Sequence, residues 1–270
     1  MTRIIVVTSG KGGVGKTTSS AALATGLALK DKKTIVIDFD IGLRNLDLVM
    51  GCERRVVYDL INVIQGEVSL NQALIKDKMT NNLFILPASQ TKNKEYLTKD
   101  GVNKIFEELT QMNFEYIICD SPAGIEKGAI LSIYFADEAV VVTNPEVSSV
   151  RDSDRILGIL SSQSHRSEKK LKPIKEYLLL TRYDPTRVAQ GDMLSVDDVL
   201  DILRIPLIGV VPEDCGILKS SNQGKSIILD SHSKAGQSYS DTVNRLLGEM
   251  CPFRFLKEEK KSFFKRLFGR

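Results

Sequence analysis

Cysteine and histidine are scarce in this 270-residue chain, with four of one and two of the other. Cys52, Cys119, Cys215 and Cys251 lie far apart and never fall in a C-x-x-C spacing. That excludes a local zinc or thiol-redox motif and suits a reducing compartment. Cys119 stands inside an apolar run and reads as a buried thiol. His165 and His232 both fall in polar, loop-like stretches, so neither a histidine catalyst nor a histidine metal site is expected. Long apolar runs are missing as well. None approaches the roughly 18 residues that a spanning helix needs. The chain passes from Met1 directly into a strand-like run at 4–7, so no signal peptide is expected. Net charge is small, with 37 Lys and Arg against 34 Asp and Glu, or +3 overall. Its placement is uneven: residues 257–270 hold six basic and two acidic residues, +4, which leaves −1 for the other 256. A weakly acidic body argues against non-specific nucleic-acid binding, and no specific nucleic acid is expected as a partner. Internal repeats and low-complexity linkers are absent.

What remains is the composition of an ordinary globular protein, 42% hydrophobic and 26% charged, able to bury a full core. Apolar, β-branched runs at 4–8, 34–38, 83–86, 116–120, 139–143, 177–181 and 207–211 read as strands. They are nearly continuous rather than alternating, as in parallel strands covered on both faces. Helix-like stretches at 16–30, 98–112, 126–135, 148–162, 195–203 and 235–248 lie between them. The alternation predicts an α/β fold with a doubly wound, mostly parallel sheet and helices on both faces, whose ligands bind beyond the carboxyl ends of the strands. The polar stretch 161–172 reads as a surface loop. Pro252 and the aromatic-basic segment after it divide a body, 1–250, from a tail, 251–270.

The first strand runs into S-G-K-G-G-V-G-K-T-T, which fits the phosphate loop G-x-x-x-x-G-K-[ST] with Gly10, Gly15, Lys16 and Thr17. Gly10, Gly12, Gly13 and Gly15 leave backbone N–H groups free to curl around phosphate oxygens. Lys11, Val14 and Thr18 complete the loop. A helix opening near Lys16 aims its N-terminal dipole at the same anion. Lys16 reaches the β- and γ-phosphates of ATP, and the Thr17 hydroxyl ligates Mg²⁺. Two further strands end in acids, at Asp38-Phe39-Asp40 and at Asp120. Carboxylates placed there can hold Mg²⁺ through its water shell, which assigns Asp38 and Asp120 to the second shell of the metal.

Lys11 is not needed by an ordinary phosphate loop. With it, G-K-G-G-V-G-K-T-T resembles the deviant Walker A family, which includes the ParA and MinD ATPases and the nitrogenase iron protein. The resemblance implies that Lys11 crosses a nucleotide-sandwiched homodimer to the partner's phosphates, doing the work of an arginine finger. It also implies that Asp40 orients the attacking water, so that Lys11, Lys16 and Asp40 are the catalytic set, and that Asp120 belongs to a metal-side switch. Family members hold adenine at the ends of the last strands, here T-R-Y-D-P (181–185) and V-P-E-D (211–214). Arg182, Pro212 and Asp214 are the candidates, and ordinary turn chemistry explains each of them equally well.

Longer stretches are similar to the MinD branch of this family: I-D-F-D-I-G-L-R-N-L-D (37–47), M-G-C-E-R-R-V-V-Y-D (50–59), C-D-S-P-A-G-I-E (119–126), T-N-P-E-V-S-S-V-R-D-S-D-R (143–155) and F-F-K-R-L-F-G (263–269). They imply a cytoplasmic ATPase that dimerises with ATP and cycles to the inner face of the plasma membrane as a peripheral protein. It would recruit the division inhibitor MinC and be released by MinE, placing the septum at midcell. An iron-sulfur relative would need exposed cysteine ligands, and Cys119 is inside a strand. A ParA-type partitioner would need a basic body. A regulator of flagellar number shares the ATPase and the tail, but not these long identities. A non-enzymatic membrane adaptor would have no use for Lys11, Lys16, Thr17 and Asp40 together.

Two surfaces complete the expectation. Arg44, Glu53, Arg54, Ser148, Asp152 and Asp154 are charged or polar near ligand-side strand ends, where a partner could sense the nucleotide state. A solvated helix start with capping acids accounts for any one of them as well. On a helical wheel, Leu256, Phe263, Phe264, Leu267 and Phe268 of the tail fall within roughly 140°. Lys265 lies opposite, Lys261 flanks the arc, and Lys260 falls inside it. An aromatic-apolar face with a basic rim is the pattern of a helix lying in an anionic lipid interface; the alternative is a terminal helix docked on the body.

Overall fold

Strands with no polar face must be covered on both sides, and the computed structural model, which describes residues 2–257, covers them so. Its strands are β1 (Arg3–Thr8), β2 (Thr34–Asp38), β3 (Ile75–Lys76), β4 (Leu83–Leu86), β5 (Tyr116–Asp120), β6 (Glu138–Thr143), β7 (Lys175–Tyr183) and β8 (Leu207–Pro212). They form one sheet in the order β3-β4-β2-β5-β1-β6-β7-β8. Only the β3–β4 pair is antiparallel; the other pairs run parallel.

Successive residues of β1 feed two different cores. Val6 joins one with the helices Lys99–Gln111, Lys127–Tyr134, Val147–Ser162 and Val196–Leu203; Ile5 and Val7 join the other with Lys16–Leu29 and Lys234–Leu246. This is the period-2 alternation of a strand, with both faces apolar. The helix Lys16–Leu29 is buried along most of its length between the sheet and Lys234–Leu246. That explains its run of alanines. At Gly26 an added Cβ would stand 2.6 Å from Val243 and Ile228 side-chain atoms, so the two helices meet only because the residue is glycine.

The expected strands and long helices all appear, with ends moved by one or two residues. Short helices that the sequence reading did not give, among them Leu60–Ile64, Pro185–Gln190 and Gly216–Asn222, join them, and three further features differ. The edge strand β3 is two residues long, too short to leave a pattern. The stretch 161–172 contains a one-turn helix, His165–Glu168, capped by Ser164 and tied to the body by an Arg166–Asp137 ion pair. Residues 251–256 stay on the body. Arg245 donates to the carbonyls of Cys251 (3.1 Å) and Pro252 (2.6 Å) and lies 3.9 Å over the Phe253 ring. Arg254 makes a two-pronged ion pair with Asp241, at 2.8 and 3.1 Å. Leu256, placed by the sequence in the apolar arc of the tail, packs partly buried against the core. The other tail candidates, Lys260, Lys261, Phe263, Phe264, Lys265, Leu267 and Phe268, lie outside the described residues. No described helix is long and apolar enough to cross a membrane.

Candidate functional site

The chain leaves β1 at Thr8, in the middle of the sheet, with β5 on one side and β6 on the other. A crevice at the carboxyl ends of strands that diverge in this way is where open α/β sheets bind ligands. The loop that follows is shaped by its glycines. Gly13 and Gly15 have φ of 76° and 95°, a region that side chains disfavour. A Cβ on Gly10 would stand 2.2 Å from the Asp152 carbonyl oxygen, so the helix Val147–Ser162 rests directly on the loop. From the other side, Thr181 Oγ1 donates to the Val14 carbonyl at 2.7 Å and lies 2.9 Å from Asn144 Oδ1. Thr181 and Asn144 are positioning residues that the sequence reading did not single out. Both stand at strand ends in quoted motifs, which is the signal that could have found them.

Lys16 opens the helix Lys16–Leu29 and is buried. Its Nζ donates to Ser9 Oγ at 2.8 Å and to the Lys11 carbonyl at 3.4 Å, and among the described residues it has no ion pair. Burial lowers its pKa, against the charges of Asp120 and Asp40. A buried cation whose partners are neutral oxygens of its own loop matches a phosphate ligand in charge and position.

Three carboxylates stand behind it. Asp120 ends β5 and is 2% exposed. Burial pushes its pKa up to about 6, against hydrogen bonds from the Ser20 and Thr17 hydroxyls, and Ser20 Oγ donates to it at 2.8 Å. Asp38 is its neighbour in register on β2. Burial first, then the Asp120 charge, raises Asp38 well above the usual carboxylate range. Asp40, half-buried, is raised by burial and opposed chiefly by Lys94. Among the described residues no group of three His, Cys, Asp or Glu is placed to hold a metal. The donors fit a Mg²⁺ ion that arrives with a nucleotide and takes Thr17 as its protein ligand, with Asp120 behind that hydroxyl. Burial pushes the Cys52 thiol up to about 12 and that of Cys119 further, so neither acts as a thiolate.

Lys11 turns away from its own loop. Its Nζ lies 3.3 Å from Glu146 Oε2 and 3.2 Å from Ser148 Oγ, in an ion pair with both side chains more than two-fifths exposed. Of the other candidates, Ser148 and Asp152 touch the loop through Lys11 and Gly10, while Asp154 is exposed on the same helix. Arg44 is tied at 2.8 Å to the fully buried carboxylate of Asp47. Glu53 and Arg54 sit on the short turn Glu53–Arg55. Arg182, in a left-handed conformation and exposed, and Pro212, buried, stand on adjacent strands β7 and β8. The Asp214 carboxylate is engaged by its own chain: it accepts from Gly216 N and Ser233 Oγ, both at 2.7 Å, and from Ala235 N at 3.1 Å. Those bonds outweigh burial and hold its pKa low.

Comparison with known proteins adds the following. The AAA domain family matches residues 2–173. The septum site-determining protein MinD of Buchnera aphidicola subsp. Acyrthosiphon pisum is 76% identical over 270 residues, the whole of both chains. A MinC:MinD cell division protein complex of Aquifex aeolicus contains a chain 43% identical to this one, with a TM-score of 0.84, over 95% of this chain and 100% of that one. The septum site-determining protein MinD of Pyrococcus horikoshii, solved with Mg-ADP, is 28% identical with a TM-score of 0.79, over 91% of this chain and 96% of its own.

Proposed function

The chain belongs to the MinD family of septum site-determining proteins, and from that premise we propose that it is a Mg²⁺-dependent ATPase that dimerises on ATP and cycles between cytoplasm and membrane. The observation that carries the reading is the convergence of Lys16, Thr17, Asp40 and Asp120 at the carboxyl ends of β1, β2 and β5. The loop amides and Lys16 neutralise phosphate charge. Asp40 accepts a hydrogen bond from water and aims its lone pair at the γ-phosphorus. Bound Mg²⁺ supplies further charge neutralisation. A relative solved with Mg-ADP supports this choice of ligand.

Lys11 supplies the remaining charge from the second subunit. Its pairing with Glu146 and Ser148 is exposed, and such a pair is worth at most about 1 kcal/mol, so exchanging it for a partner's phosphate is favourable. Leu43, Ile125 and Val147 follow the carboxyl ends of β2, β5 and β6 by four or five residues and are 68%, 66% and 63% exposed. An apolar rim around the phosphate loop suits a second copy of the chain. Arg182, Pro212 and Asp214 hold the adenine, with Asp214 acting through the loop it braces. The Aquifex relative is complexed with MinC. That supports MinC as a partner. Ser148, Asp152 and Asp154 on the helix Val147–Ser162, and Arg44, Glu53 and Arg54 on the segment after β2, are the surfaces offered to MinC and to MinE as the releasing partner. The tail from Leu256 onward anchors the dimer to anionic lipid, and two tails held together gain about 10²–10⁴ in avidity over one.

Two measurements test the proposal. Asp40→Ala should bind ATP and dimerise with no phosphate release; loss of nucleotide binding would make Asp40 a structural or metal-binding residue. The full chain should sediment with anionic vesicles in ATP, much less in ADP and less again as salt rises, and Phe263→Glu should abolish it. Equal sedimentation in the two nucleotides would contradict gating by ATP.

A further inference from the structure

Asp38 is turned into its own chain. It ends β2, is 1% exposed, and both of its oxygens accept backbone hydrogen bonds: Oδ1 from Asp40 N–H at 2.9 Å and Oδ2 from Leu46 N–H at 3.3 Å. The chain between those two amides is an arch closed on a single carboxylate. Within the arch, the amides of Leu43 and Arg44 donate to the Asp40 carbonyl at 3.3 and 3.2 Å, and Gly42 N–H donates to the Ser89 carbonyl at 2.8 Å. Arg44 holds a left-handed conformation and reaches the buried Asp47. At its base, Phe39 N–H donates to the Asp120 carbonyl at 2.9 Å.

We propose that Asp38 is a positioning residue, a carboxylate clamp that fixes Asp40 and the start of the helix Leu46–Val49 in one frame, rather than a member of the Mg²⁺ shell. The proposal rests on the ATPase reading for its catalytic consequence, though not for the clamp itself. A carboxyl group is needed because one side chain must accept at two oxygens, from Asp40 N–H and from Leu46 N–H. Asparagine keeps one acceptor oxygen, and alanine keeps none. The clamp also joins the outer side of the arch, at Arg44, to the residue that orients water. A partner protein that displaces the Arg44–Asp47 pair therefore displaces Asp40.

Two readouts on the full chain separate the clamp from a metal role. The first is amide hydrogen exchange without nucleotide. Asp38→Ala should speed exchange at Asp40 and Leu46 by up to about tenfold, the loss expected for one hydrogen bond at each amide, while the strands stay protected; Asp38→Asn should fall between. Unchanged exchange in the arch overturns the clamp whether or not the protein hydrolyses ATP. The second is phosphate release against ATP and Mg²⁺. A misplacement of about 1 Å costs about a hundredfold in rate, so kcat should fall about 10–100-fold in Asp38→Ala and less in Asp38→Asn, with KM for ATP and the Mg²⁺ midpoint within about twofold of wild type. A Mg²⁺ midpoint raised tenfold, with turnover rescued by excess Mg²⁺, would return Asp38 to the metal shell. Should Asp38→Ala fail to fold, Asp38→Asn carries both readouts.

Discussion

Asp120 sits where its charge is useful to a ligand and costly to the fold. Burial raises its pKa from 3.8 to about 6, so the folded chain holds a proton that the unfolded chain has already released between those values. Stability from this group is therefore lost as the pH rises from about 4 to 6, and the cost is fully present above that window. Asp120→Asn keeps an oxygen for the Ser20 hydroxyl and removes the buried charge. It should stabilise the nucleotide-free protein at pH 7 by up to about 3 kcal/mol, a gain that shrinks toward pH 4, while impairing turnover. Thermal unfolding of both proteins across that range checks it; a variant less stable than wild type at pH 7 would contradict the assignment of cost. Residues of this kind were legible in the sequence because their chemistry is local, with each acid closing an apolar run behind a glycine-rich loop. The role of Asp214 was not. Its donors Ser233 and Ala235 come from about twenty residues further on, and nothing in V-P-E-D announces them. Arg44 likewise reads as a free surface charge until Asp47, three residues on, proves to be buried.

At the scale of elements, β1 and the helix Lys16–Leu29 were readable end to end, since a continuous apolar run and an alanine-rich stretch leave little choice of structure. The antiparallel strand β3 was not, because two residues carry no period. The boundary at Pro252 misses the docked segment for a different reason. Cys251–Pro252–Phe253–Arg254 is held by Arg245, through hydrogen bonds and a cation–π contact, and by Asp241, both on the preceding helix Lys234–Leu246, and hydropathy cannot register such pairings. The Arg254–Asp241 contact is the testable part. Asp241 is nearly buried while Arg254 is half exposed, so solvent screening reduces its worth. Arg254→Ala should cost about 1–2 kcal/mol and expose the segment after residue 250 to protease, with Arg254→Lys intermediate. Urea unfolding and limited proteolysis measure the two effects. Cleavage no faster than in wild type would mean that cation–π contact with Phe253 holds the segment without Arg254.

The whole molecule divides its tasks by charge and by face. Residues 1–256, of net −1, carry the nucleotide crevice at the carboxyl ends of the strands, and the basic excess lies in the last fourteen residues. The docked segment begins near the opposite end of the sheet, where Arg245 reaches the Ile208 carbonyl at the start of β8. In the proposed cycle the two ends are joined by one event, pairing of two subunits across ATP, with Lys11 acting across the pair. Sedimentation velocity of wild type and Lys11→Ala with a non-hydrolysable ATP analogue tests that most directly. Wild type should sediment as a dimer, and Lys11→Ala should bind the analogue yet remain a monomer. A Lys11→Ala protein that dimerises to the wild-type extent would contradict the claim.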